Sequence, residues 1–185
     1  MNLSALGIFS AAGAGGQVGT YELIQTQILG SNQASVTFSN LGDYASTYKH
    51  LQIRSVAKSG SSNSAIHLYF NADEATNYNW HTLVGTGSAV ESGAATSFAG
   101  IFIAGLPPSS VTGFNGSVCD ILDAYSTTKN TTIRSLAGNV EGEIRGVAIY
   151  SGAWRNTAAI SSIKLGSGGG ILAANSRFSL YGIRG

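Results

Sequence analysis

A single cysteine, Cys119, and one pair of adjacent prolines, Pro107 and Pro108, stand in 185 residues. One thiol excludes an intramolecular disulfide and any zinc site built on cysteine pairs. The run around it, Phe114 to Leu122, alternates in polarity, which makes a buried structural thiol the plain reading. Charge is equally scarce. Asp, Glu, Lys and Arg make up 10% of the chain, against about 25% in an ordinary soluble domain. The formal net charge is +1, and the Lys and Arg residues are scattered singly. Holding nucleic acid by its phosphates needs clustered positive charge, so no nucleic-acid partner is expected. Low charge itself has two readings: a surface of Ser, Thr and Asn, or a surface largely covered by partners. No apolar run reaches about 18 residues, so no membrane-spanning helix is expected. The three histidines, His50, His67 and His81, share no metal-type spacing with one another or with a carboxylate. No G-x-S-x-G elbow supports a serine nucleophile. Gly13, Gly15 and Gly19 follow no strand, and Gly166–Gly170 precedes no Lys-Ser/Thr, so neither is a phosphate loop.

What is present is short strands and turns. The clearest strand runs from Tyr48 to Lys58. Leu51 and Ile53 point to one face, and His50, Gln52 and Arg54 to the other, the period of two of a half-buried strand. Its apolar row requires a second layer. The chain is long enough for one core and short for two.

Residues 1–20 read as an extended arm and 21–185 as the folded domain. Leu3, Leu6, Ile8 and Phe9 are apolar and are followed by Gly and Ala, whose backbone is costly to order alone. No Lys or Arg precedes them, so they lack the basic start of a signal peptide. An apolar cluster on an arm marks a docking segment; a frayed end is the plainer alternative.

In order, strands are expected at Tyr21–Ile28 and Ala34–Ser39, joined as a hairpin, then after a short helical turn at 41–47 the central strand, then Ala65–Phe70 and Tyr78–Val84. Gly85–Thr96 reads as a long loop. Further strands are expected at Ser97–Ala104, Phe114–Leu122, Thr131–Asn139 and, after a tight turn at Glu141-Gly142, Glu143–Tyr150. Gly152–Ala158 reads as a loop carrying Trp154, before strands at Ala159–Leu165 and Ser176–Ile183. About ten strands with a turn every 8–12 residues predict an all-β fold, sandwich or barrel. A two-sheet antiparallel jelly roll is preferred, with the first and last strands side by side.

Candidate chemistry is thin. Asn71, Asp73, Glu74 and Asn77 offer oxygen ligands to a cation, though a plain turn accounts for them. Asp120 and Asp123 are the only carboxylate pair suited to glycoside chemistry, and turn capping accounts for Asp123. Tyr125, Trp154 and Arg155 are candidate glycan or interface contacts, since aromatic rings stack on sugars and also fill interfaces. No catalytic residue, metal or cofactor is expected.

The blocks YELIQTQILG, ASVTFSNLGDYASTYKHLQIRS, HLYFNAD, NYNWHTLVGTGS, DILDAYSTTKNTTIRSLAG, SGAWRNTAAISSIKL and SRFSLYGI cover Tyr21 to Ile183. Together they resemble a group of tailed-phage virion proteins, common in phages of aquatic bacteria including cyanophages. The resemblance implies a structural, non-enzymatic protein made in the host cytoplasm. Related jelly-roll proteins serve as head decoration (cement) proteins or as parts of tail fibres. An arm over residues 1–20, with no fibre-like repeat before the domain, favours decoration. The resemblance thus implies a virion location on the capsid surface, with the major capsid protein and further copies of the chain, as dimer or trimer, for partners. The arm anchors would be Leu3, Leu6, Ile8 and Phe9. The alternative it implies is a tail-fibre or receptor-binding module for host polysaccharide, using Tyr125, Trp154 and Arg155.

Overall fold

A computed structural model of the chain describes residues 20–139 and 146–185. Among them are twelve strands and a single short 3₁₀ turn at Leu41–Tyr44. In chain order the strands are β1 (Tyr21–Ile28), β2 (Ser35–Phe38), β3 (His50–Ala57), β4 (Ser64–Phe70), β5 (Tyr78–Gly85), β6 (Val90–Phe98), β7 (Ile101–Leu106), β8 (Asn115–Leu122), β9 (Thr131–Asn139), β10 (Gly146–Trp154), β11 (Ile163–Ser167) and β12 (Arg177–Ile183). All pairings are antiparallel.

Two sheets form. One runs β1-β12-β3-β8-β9-β10-β5-β6, the other β2-β11-β4-β7. Four pairs nest within one another: β1 with β12, β2 with β11, β3 with β8 and β4 with β7. Successive pairs alternate between the sheets, which is the winding of a jelly roll. Two further pairs interrupt it. The β5–β6 hairpin enters between β4 and β7, and β9–β10 between β8 and β11. Both extend the first sheet from four strands to eight.

The central strand behaves as its pattern requires. Leu51, Ile53 and Ala57 are fully buried, and Gln52 and Arg54 face outward. Across the core they meet the small sheet, whose Val36, Phe38, Ile66, Leu68, Phe70, Ile163 and Leu165 are buried as well. Each such side chain contributes about 1.5–3 kcal/mol by leaving water. Cys119 sits in this core, fully buried. Burial pushes its thiol far above the ordinary range, so it is an inert packing group.

Four expectations need correction. Tyr21–Ile28 and the strand after it do not form a hairpin: β1 pairs with β12 and β2 with β11, in different sheets. The expected loop over Gly85–Thr96 is largely strand β6, paired along β5. The expected strand Ser97–Ala104 is a corner. The chain leaves the large sheet at Phe98, turns at Ala99-Gly100 and enters the small sheet at Ile101. Gly100 has φ 88°, where other residues are strained, and its missing Cβ leaves room for the Tyr69 ring. Lastly, Trp154 lies at the end of β10, opposite Tyr78 and Thr131, and not in a loop. The turn expected at Glu141-Gly142 and arm residues 1–19 lie outside the described residues. Thr20 leads into β1, its carbonyl accepting from the Arg184 amide at 3.0 Å.

Candidate functional site

The outer face of the eight-stranded sheet is sorted into rows by its register. One row is polar: Tyr181, Gln52, Asp120, Arg134, Ser151 and His81 stand opposite one another on β12, β3, β8, β9, β10 and β5. It is tied together by side chains. Gln52 accepts from the Tyr21 hydroxyl and donates to Asp120 at 2.7 Å, and Arg134 donates to Asp120 at 3.0 Å. The Arg54 guanidinium lies against the rings of Tyr21 and Tyr181, at 5.1 and 5.2 Å from their centroids.

The next two rows are apolar. Val118, Leu136, Ile149 and Leu83 are direct cross-strand partners on β8, β9, β10 and β5. Beside them run Val56, Gly116, Gly138, Val147, Gly85 and Val90. All seven large residues are between 40% and 75% exposed. With strands about 4.8 Å apart and same-face residues about 6.8 Å apart, these rows cover about 330 Å². A contiguous apolar patch of that size matches the largest patch on a typical monomer, which is often functional. None of these residues was singled out from sequence. The signal was there in β10, where Val147 and Ile149 fill one phase and Ala148 and Tyr150 the other. An antiparallel strand that faces water should be polar in one phase.

The sequence-selected residues fall elsewhere. The arm anchors Leu3, Leu6, Ile8 and Phe9 lie outside the described residues. Trp154 is corrected as a glycan contact: it is 1% exposed, stacked on Tyr78 and tilted against Phe70. Its indole donates to Asp73 at 2.8 Å. Arg155, next in the chain, is exposed and donates to the Thr76 carbonyl at 2.7 Å. Tyr125 is half-buried and donates to the Leu41 carbonyl at 2.9 Å. Burial pushes its hydroxyl up to about 12. It lines a hollow of about 290 Å³ with Lys49, Asp123 and Lys129, at the edge where β8 ends. The structure therefore does not gather Tyr125, Trp154 and Arg155 into one surface.

The carboxylates have structural partners. Burial acts to raise Asp73, but bonds from Asn77, Trp154 and the Ala75 amide outweigh it and hold its carboxyl low. Glu74 pairs with Lys164 at 2.6 Å. The polar loop is thus a turn that seats Trp154. Asp120 belongs to the polar row, while Asp123 is held low by Lys129 and accepts nothing from Asp120's partners. Among the described residues no group of three His, Cys, Asp or Glu side chains is placed to hold a metal ion.

A second hollow, of about 250 Å³, lies on the inner side of the β5–β6 hairpin, where the large sheet reaches past the β7 edge of the small one. Trp80, Val84, Phe102 and Tyr150 form its apolar wall. Trp80 meets Phe102 and Phe98 edge to face, with centroids 4.7 and 5.9 Å apart. Two buried polar atoms here have no hydrogen-bond partner, Trp80 Nε1 and Thr82 Oγ1. Each such orphan costs about 1–3 kcal/mol. Comparison with models of known protein families finds no match, and comparison with curated proteins finds none either.

Proposed function

We propose that this chain is a non-enzymatic virion structural protein, a capsid decoration or cement protein that sits on the outer surface of a tailed-phage head. The observation that carries the reading is the apolar double row on the outer face of the large sheet. A sheet face that meets only water would be polar in that phase; these two rows offer an apolar surface without charged side chains to a protein neighbour. The scarcity of charge, 10% of residues, and the resemblance over Tyr21 to Ile183 support the same reading. The partners are the major capsid protein and further copies of the chain.

The mechanism is linkage. A protein that binds the assembled shell and not its free subunits shifts the equilibrium towards the shell, by RT ln(1 + [L]/Kd) per site. Spread over many copies, small contributions clamp neighbouring subunits. The arm anchors Leu3, Leu6, Ile8 and Phe9 would add a second attachment, and two tethered contacts bind far more tightly than either alone.

The test is binding to heads stripped of this protein. Leu136→Lys with Ile149→Glu puts a cross-strand pair of opposite charges on the exposed face, which leaves folding within about 1 kcal/mol of the parent but weakens head binding at least about tenfold. Deleting residues 1–16 leaves the domain folded and also weakens binding. Full binding by both variants would refute the reading.

A further inference from the structure

We propose that the free edge of β6 pairs with itself: β6 of one copy joins β6 of a second copy, antiparallel, about a two-fold axis at Ser92. Further copies stand among the partners proposed above. The edge, the axis and the register are additions to that reading, and none of them depends on a place in a virion.

The direction of β6's backbone groups follows from its turn. The Thr86 amide donates to the Ala89 carbonyl at 3.0 Å. Bonded and non-bonded pairs alternate from there, so Glu91 opposite Val84 and Gly93 opposite Thr82 turn their N–H and C=O groups to β5. Val90, Ser92 and Ala94 turn theirs the other way, where the sheet ends. Such an edge is a template for another strand unless it is blunted. The edges at β1, β2 and β7 are blunted. β1 is broken by a register shift between Leu23 and Gln25. β2 has four residues, and Gln27 donates to its Thr37 carbonyl at 2.8 Å. On β7, Ser135 and Asn115 donate to the Ile103 and Gly105 carbonyls at 2.6 and 3.1 Å. β6 carries no Pro, Lys or Arg, and its own irregularity lies beyond Ala95.

One register uses the whole outward-turned stretch. With Ser92 opposite Ser92 of the second copy, Val90 stands opposite Ala94 on either side, and all three residues exchange both of their bonds. Glu91, the one charge on β6, then faces Gly93 of the second copy. An axis at Glu91 would instead set two carboxylates opposite each other. The register at Ser92 also fits the outer face. Ser92 ends the row Val118, Leu136, Ile149, Leu83, so the axis joins that row to its mate in line. Val90, 75% exposed at the end of the second row, gains Ala94 of the second copy as its cross-strand neighbour. A two-fold contact of this kind closes with two copies, and a trimer cannot be built from it.

An edge contact buries less than the roughly 1,200 Å² at which standard interfaces begin, so a dimer constant on the order of 10–100 µM is expected. Sedimentation velocity of the full-length chain, from about 5 to about 500 µM, should show monomer passing to dimer. Ser92→Lys sets like charges opposite each other at the axis and weakens the dimer at least about fivefold; an unchanged far-ultraviolet circular dichroism spectrum shows that it is folded. Ser92→Cys locates the axis. Cα atoms of a bonded pair lie about 5.5 Å apart, within disulfide reach, while the two Ala94 Cα atoms would lie about 14 Å apart. Mild oxidation therefore links Ser92→Cys chains into a dimer on a non-reducing gel and leaves Ala94→Cys chains single. Cys119 is buried and takes no part. The proposal is overturned if the parent stays monomeric throughout or forms a trimer, if Ser92→Lys dimerises as the parent does, or if Ser92→Cys links no better than Ala94→Cys. Failure here leaves head binding through the outer sheet face untouched, and failure of head binding leaves sedimentation unchanged.

Discussion

His67 is the residue whose titration the fold disturbs most simply. It lies on β4, pressed edge-on to Phe102 with centroids 4.3 Å apart and 5.9 Å from Phe98. Gly168 leaves the room its ring needs, because a Cβ there would stand 2.5 Å from His67 Nε2. Burial lowers its pKa below the usual 6.5. The sign follows from proton counting. Above about pH 6.5 both folded and unfolded chains hold the neutral ring, so its contribution to stability is fully present. Below that, the unfolded chain takes a proton that the folded chain refuses. Stability therefore falls as the pH drops from about 6.5 towards the folded value. Urea unfolding midpoints between pH 7.5 and pH 5 should show this decline, and His67→Leu should remove part of it. An equal decline in the variant would assign the effect to other groups. At this scale the sequence was a fair guide to polarity and a poor one to role. Leu51, Ile53 and Cys119 were legible as core from alternation alone. Trp154 was not, because Gly152, Arg155 and Asn156 around it carry loop composition. Its strand is held by pairing with Tyr78 and Thr131, which are distant in sequence.

Among the elements, β6 and the corner after it depart most from what local composition suggests. Val90–Phe98 is rich in Ser, Ala and Gly, which lowers strand propensity, yet it pairs along β5 at the edge of the large sheet. Edge strands tolerate such residues because one side needs no partner. The corner turns on Gly100. Its φ of 88° and a Cβ position 2.8 Å from Tyr69 Cε1 make Gly100→Ala doubly unfavourable. The expected cost is about 1–3 kcal/mol, read as a lower thermal midpoint with the strand content unchanged. A midpoint equal to the parent's would mean that the corner relaxes freely. The pairing of first and last strands was legible as a consequence of the jelly-roll expectation. The remaining order was not. Nested pairs such as β2 with β11 join residues more than 120 apart, and no local pattern encodes them. The apolar outer face also escaped notice, since it exists only once β8, β9, β10 and β5 are set side by side.

For the molecule as a whole, the outer face of the large sheet carries the proposed function. The outer face of the eight-stranded sheet is apolar over about half its strands and bounded by the Gln52–Asp120–Arg134 row. The inserted strands that widen this sheet also create the hollow beneath the β5–β6 hairpin. Leu136, Ile149, Leu83, Val147 and Val90 of the face stand on the two inserted pairs, which ties the proposed role to what they add to an eight-strand winding. Replacing Leu136 by Lys and Ile149 by Glu separates face from fold.

The most direct measurement of the central claim is the copy number of this chain in purified virions, by quantitative mass spectrometry against the major capsid protein. Head decoration predicts a number of the same order as the capsid protein's, because each shell position offers a site. A handful of copies per particle would contradict it and place the chain at the tail or a single vertex.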